Sequence, residues 1–320
     1  MKKNKTILSF IILYLLSMYN TSYSQQRDVT FIIASDLHFD SEPETDQFYH
    51  VLTMNKLPNT YVWDKDSPKS FTGETLQKLD GVIITGDIFD NPCPASIKAF
   101  KKRYDIGTDE KQIHFPVYPS FGNHDIHPGK KGEVDNLAGR TFALNYLDSL
   151  LQAKFKKKEI LNIHPSSRAY SWNVGDVHFV AMHTYAGDTT YCESSMNWLK
   201  DDLKKYASKG NPVVYAQHYG FDEWAAKWWP EKSRIELFDT LDKYNLAAFF
   251  VGHTHTASIQ EYKDHKIYQV NNAWPDEDGN GSFAVMRIKG NDVGIVTCRW
   301  TDGKGNYEIV SPKLNSKLKE

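Results

Sequence analysis

The sequence has little cysteine: three residues in 320, at positions 93, 192 and 298. An odd number at spacings that match no disulfide framework argues against a cystine-stapled scaffold and against a thiolate metal cage. Free thiols are expected, or one pair with one residue left over. An excess of charge of one sign is lacking too. Lys and Arg number 38 against 40 Asp and Glu, a formal charge of -2, so no basic field exists to bind nucleic acid through counterion release. Long apolar runs are missing apart from one near the N-terminus, which excludes a polytopic membrane protein. Internal repeats and Gly- or Pro-rich linkers are missing as well, and with them a solenoid or a string of tethered modules. What remains is 40% hydrophobic, 13% aromatic and 24% charged, the composition of a globular chain long enough to bury a sizeable core.

The one apolar run speaks to compartment. Met1-Lys2-Lys3-Asn4-Lys5 is basic, residues 7–18 are mostly apolar, and Asn20 to Ser24 is polar with small residues at 22 and 24. This is the three-part layout of a secretory signal peptide, with cleavage expected after Ser24. The run is short of the roughly 20 apolar residues a membrane span needs. Removal of residues 1–24 leaves 35 bases against 40 acids, a net charge of -5. An exported protein, periplasmic or secreted, is expected, with residues 25–320 as one domain and no transmembrane segment.

Short β-branched runs recur along the mature chain: Val29–Ala34, Val82–Thr85, Val117-Tyr118, His178–Met182, Val213–Ala216 and Ala248–Val251. Continuous apolar runs of this length read as strands covered on both faces. Between them lie stretches of helical period. Met196, Leu199, Leu203 and Tyr206 form one stripe, and Ile235, Phe238, Leu241 and Tyr244 another. Residues 281–300 read as a hairpin turning at Gly290-Asn291-Asp292, while 40–78 and 126–170 read as long irregular connections. The basic cluster Lys154–Lys158 reads as a solvated face. Alternating strands and helices predict a layered α/β fold.

Each predicted strand ends in a side chain capable of metal or acid-base chemistry. Asp36-Leu37-His38 follows the first, Gly86-Asp87-Ile88-Phe89-Asp90 the second, and Gly122-Asn123-His124-Asp125 the third. His218 and Gly252-His253-Thr254-His255 close the set. In open α/β sheets the carboxyl ends of the strands form the crevice where ligands bind. Carboxylate, imidazole and amide donors without cysteine suit borderline to hard divalent ions such as Mn, Fe or Zn. Paired donors at i and i+2 can face one side of an extended backbone. The glycines ahead of them permit sharp turns and close backbone approach.

These five motifs, in this order, resemble the calcineurin-like metallophosphoesterase superfamily over roughly residues 29 to 290. The resemblance implies a four-layer sandwich of two mixed β-sheets flanked by helices, and a pair of divalent cations as cofactor. It implies Asp36, His38, Asp87 and His255 around the first cation, and Asp87, Asn123, His218 and His253 around the second. His124 would donate a proton to the leaving group, oriented by Asp90. The implied reaction is hydrolysis of a small phosphomonoester or phosphodiester by a metal-activated hydroxide. Two branches are disfavoured. Purple acid phosphatases carry a tyrosine ligand where this chain has Asp90. Protein phosphatases have Arg-Gly and a glutamate where this chain has Asn91-Pro92 and Asp125. The competing reading is a metal-binding protein of the same fold with negligible catalysis.

Seven histidines fall outside the set. His183, at a strand end, and His127, close to Asp125, are candidate substrate residues. Trp224 and Trp228, four apart after His218, share a face if helical. They read either as anchors of this connection or as an aromatic wall beside the metals.

Overall fold

A computed structural model describes residues 27–40, 48–126, 137–274 and 281–319. The expected signal peptide and His127 lie outside the described residues. In chain order the first strands are β1 (Asp28–Ala34), β2 (Gly81–Ile84), β3 (Val117–Pro119), β4 (Asn162–Ile163), β5 (Tyr170–Val174) and β6 (Val177–Ala181). There follow β7 (Pro212–Ala216), β8 (Asn245–Val251), β9 (Ser258–Tyr262), β10 (His265–Gln269), β11 (Ser282–Lys289), β12 (Asp292–Trp300) and β13 (Tyr307–Lys317). The helices are α1 (Tyr49–Lys56), α2 (Pro94–Tyr104), α3 (Asn123–Ile126), α4 (Leu137–Lys156), α5 (Met196–Tyr206), α6 (Ala225–Trp228) and α7 (Glu231–Leu241).

Two mixed sheets result. One has the order β13-β12-β11-β1-β2-β3 and the other β4-β5-β6-β7-β8-β10-β9. Each has a parallel part, β1-β2-β3 along one side of the first and β6-β7-β8-β10 in the middle of the second, extended by antiparallel strands. The β-branched runs occupy those parallel parts because both of their faces are covered. In β7 and β8 the period of two is visible. Val214, Ala216, Ala248 and Phe250 face the core shared with the first sheet, whereas Val213, Tyr215, Phe249 and Val251 face a second core with α5 and α7. Phe31 of β1 touches Phe179 of β6 at 4.6 Å between ring centroids, so the sheets pack face to face. Residues of α1, α2 and α4, among them Met54, Phe100 and Leu147, belong to the shared core as well. The layers run helix, sheet, sheet, helix, as expected.

Two expectations are corrected and one strand is added. Residues 126–170 are not irregular: they hold α4, a helix of 20 residues. The C-terminus adds β13, an edge strand paired antiparallel with β12. Lys154 is not solvated but buried, its ammonium 4.6 Å over the Tyr118 ring and 3.1 Å from Glu159. The cysteines are all free, and Cys93 caps α2 by accepting from Ser96 N at 3.4 Å, with Pro94 opening the helix. No helix among the described residues is long and apolar enough to cross a membrane.

Candidate metal centre

The parallel strands β1, β2, β3, β7 and β8 deliver their next residues to one end of the two sheets. The loops after β1 and β2 are laced together: Leu37 N and His38 N both donate to Asp87 O, at 2.8 and 3.0 Å. The loops after β7 and β8 join through Gly252 N donating to His218 O at 2.9 Å. Two of the expected glycines have a definite reason. A Cβ at Gly122 would run into the Asp87 carboxylate, and one at Gly252 into the Ser35 hydroxyl.

Two groups of donors gather there, beside a third made of His38, Asp90 and His124. Asp36, His38 and His255 form one, and Asp87, His218 and His253 the other, with the potential ligand atoms of each group within 4.8 Å of one another. In the first, His38 Nε2 and His255 Nε2 lie 3.0 Å apart, and both approach Asp36 Oδ1, at 3.9 and 3.4 Å. In the second, His218 Nε2 is 3.1 Å from Asp87 Oδ2 and 3.1 Å from Asn123 Oδ1. Both carboxylates are buried. Asp36, His38, Asp87, His253 and His255 all have positive φ, between 44 and 83°. A non-glycine residue held there costs of order 1–3 kcal/mol. Five such residues concentrated in these two groups store strain at this site, as functional sites commonly do.

The electrostatics agree. Burial pushes the Asp36 pKa up, but the hydrogen bond from His255 and the charges of His218 and His255 outweigh it and leave it at about 2. Asp87 is likewise resisted by burial and held far below the carboxylate range by His218, His124 and His38. His253, half-buried and repelled by His218, is driven down to about 4 and is therefore neutral, the form in which imidazole ligates. His218 is raised to about 9: burial lowers it, and the Asp87 carboxylate more than compensates. Without a cation, protons on imidazole balance the buried carboxylates, and a cation would displace them. Carboxylate, imidazole and amide donors, two ionised acids and strained backbone together fit a pair of divalent cations.

Beside the first group, His124 Nδ1 is 3.2 Å from Asp90 Oδ1, and His38 Nδ1 is 3.5 Å from the same oxygen. Asp90, hydrogen-bonded by both rings, is held well below the usual carboxylate range. His124 loses basicity to burial but regains more from Asp90 and Asp87, reaching about 9. It is protonated at neutral pH, with Nδ1 committed to Asp90.

The remaining candidates separate. His183 is buried at 4% exposure, and its Nδ1 accepts from Phe121 N at 3.0 Å. It packs the loop after β6 and offers no wall to a substrate. Trp224 is exposed, and its ring carries the Lys227 ammonium at 4.2 Å. Trp228 instead touches the centre, its ring 5.6 Å from that of His253. Sequence reasoning missed the roles of two residues. Tyr219 packs its ring 5.0 Å from His253 and 5.7 Å from His218. Asp125 is fully buried and accepts from Gly122 N, Phe89 N and Ile88 N at 2.8, 2.9 and 3.2 Å. It ties the loop after β2 to the loop after β3, and burial with the Asp87 charge pushes its pKa up to about 8. Its place directly after Asn123-His124 was the available signal.

A family model described as calcineurin-like phosphoesterase matches residues 29–257. Among solved structures, the chain is similar to a dimetal phosphatase from Danio rerio at 11% identity and a TM-score of 0.57, over 91% of this chain and 99% of that one. It is similar to GAP50, the anchor in the inner membrane complex of Plasmodium, at 12% identity and a TM-score of 0.57, over 92% and 90%. PhoD matches at 11% identity and a TM-score of 0.50, over 89% of this chain and 72% of that one. At such identities the likeness is one of fold. A comparison with curated protein sequences finds no match.

Proposed function

This chain belongs to the calcineurin-like phosphoesterase family, and from that premise we propose that it is an exported hydrolase of small phosphomonoesters or phosphodiesters. The observation that carries this reading is the pairing of two buried, ionised carboxylates among imidazoles with the adjacent His124–Asp90 pair. A protein that only held metal would have no use for a protonated histidine at the rim of the centre.

Asp36, His38, Asp87 and His255 would hold one cation and Asp87, Asn123, His218 and His253 the other, with Asp87 shared. Bound divalent cations supply Lewis acidity toward phosphoryl oxygens and lower the pKa of a water. The chain does the rest. Asp36 and Asp87 contribute two negative charges in a buried setting, and Asn123 adds a neutral oxygen. His124 holds a proton at Nε2 for the departing alkoxide, a role typically contributing about 10²–10⁴ in rate. Asp90 fixes the ring through Nδ1 and stabilises its charge. Asp125 holds the loops that carry Asp87 and His124 in register through its three backbone N–H bonds.

The test is metal content by mass spectrometry together with hydrolysis of p-nitrophenyl phosphate and its bis ester in the presence of Mn²⁺. Full-length chain expressed in a bacterial host should be exported and begin at Gln25. Asp87→Ala should lose both cations, and turnover should fall about 10³-fold or more, matching the several kcal/mol such ions contribute, with the circular dichroism spectrum retained. Wild-type protein that holds two cations and hydrolyses neither ester would replace this reading with that of a metal-binding protein.

A further inference from the structure

The segment after β7 presents tryptophan to solvent where folding gives no reason for it. Trp229, fully buried, and Phe221 anchor the segment in the second core. Asp222 Oδ1 fixes the turn by accepting from Trp224 N and Ala225 N, both at 2.9 Å. With the anchor provided by Trp229, the neighbouring Trp228 is turned outward and is 48% exposed. Its inner edge is nonetheless held. The ring stands edge-on to His253, at 68° and 5.6 Å, and lies 5.7 Å from the ring of Tyr219. Tyr219 is buried and in turn packs on His218 and His253. A fixed chain of rings thus leads from two of the proposed ligands to an open indole face. Trp224 offers no equivalent, because the Lys227 ammonium occupies its ring.

Resting on the hydrolase reading above, we propose that Trp228 determines specificity by stacking a flat ring of the substrate. The substrate class is then a phosphoric ester bearing an aryl or nucleobase ring near the phosphorus, rather than an alkyl or sugar ester. An indole held at its edge loses no rotamer freedom on stacking, and offset ring pairs gain more than their buried area alone provides. One such stack contributes about tenfold to binding.

Isothermal titration of the Mn²⁺-loaded protein tests this with two matched pairs: phenylphosphonate against methylphosphonate, and adenosine 5′-monophosphate against ribose 5-phosphate. At least one ring-bearing ligand should bind about tenfold tighter than its partner. That ratio should fall toward one in Trp228→Ala and persist in Trp228→Phe, which keeps a ring. A response of the phenyl pair alone places the ring beside the phosphorus, as in an aryl ester, and a response of the adenosine pair places it a sugar away. Equal binding within both pairs, or ratios untouched in Trp228→Ala, overturns the proposal. Ring-dependent binding without hydrolysis of any ester would leave this inference standing while the hydrolase reading fell, and hydrolysis without ring preference would do the reverse.

Discussion

Two of the histidine–aspartate pairs among the described residues, His124–Asp90 at the strand ends and His178–Asp202 beneath a sheet, differ in everything except residue type. His124 and Asp90 lie 3.2 Å apart at the edge of the metal centre, each side chain about two-fifths exposed. His178 and Asp202 lie 2.8 Å apart, both fully buried, between β6 and α5. The second pair is closed on every side. His178 Nδ1 bonds Asn173 Oδ1 at 2.7 Å, and Asp202 Oδ1 accepts from Ser171 and Asn162 at 2.8 and 2.7 Å. Every polar atom is used and none faces a ligand. The first pair is open: Asp90 serves two rings, and both side chains are part-exposed, which suits the proton-donor role proposed for His124. The chemistry of such a pair is set by what its spare atoms face.

The sharpest way to break that contrast is to remove each histidine or its partner and ask which property falls. His124→Ala should lower kcat/KM on an alkyl phosphate by about 10²–10⁴, the range for lost general-acid help. It should lower it far less on p-nitrophenyl phosphate, whose leaving group needs little protonation. Metal content should be unchanged. Equal losses on both esters would mean that His124 positions the centre and does not deliver a proton.

Asp202→Ala should do the opposite. Removing one partner from a buried pair strands the other, at a cost of about 3–5 kcal/mol. Urea denaturation should show that loss, while kcat/KM of the protein still folded stays within about twofold, since the pair lies far from the donor groups. A catalytic defect in the folded fraction would join the two regions and dissolve the comparison.

Much of this was legible beforehand because the two kinds of information lie on one template. β-Branched runs such as Val213–Ala216 can only be buried strands, and the residue after each is placed at a strand end by the same reading. The candidate metal donors could therefore be listed in order. The structure brings all seven together, Asn123 included, at 3.1 Å from His218. What escaped is where one template blurs. In α4 the inward stripe runs through Arg140, Ala143, Leu147, Leu151 and Lys154, bracketed by two charged residues. Leu137, Phe142 and Phe155 are exposed on the same helix, so the apolar period is smeared. β13 is an edge strand of mixed burial interrupted by Pro312, which sits where the register with β12 shifts and no ladder bond is required. Asp125 was named in its motif, but its role escaped because it acts on the backbone N–H groups of Gly122, Phe89 and Ile88, and which N–H groups an acid meets is not written in its position. Trp228 rather than Trp224 faces the centre because Trp229 supplies the anchor, and periodicity does not tell which of three tryptophans goes inward.

A third histidine extends the comparison to burial without any acid at all. His50 is buried in α1, stacked 5.8 Å from the Tyr104 ring, and among the described residues neither ring nitrogen has a hydrogen-bond partner. Burial, assisted by the charge of Arg103, drives its pKa down to about 3 from the ordinary 6.5. The folded state therefore keeps His50 neutral, whereas the unfolded chain takes up a proton below pH 6.5. The sign follows: stability from this residue is whole above 6.5 and is lost as the pH falls from there toward 3, by about 1.4 kcal/mol per unit. Between pH 7 and pH 5 the wild type should lose about 2 kcal/mol more than His50→Phe, measured by urea denaturation at both values. Equal losses would mean that water or another group reaches the ring, and that burial alone does not distinguish His50 from the paired histidines.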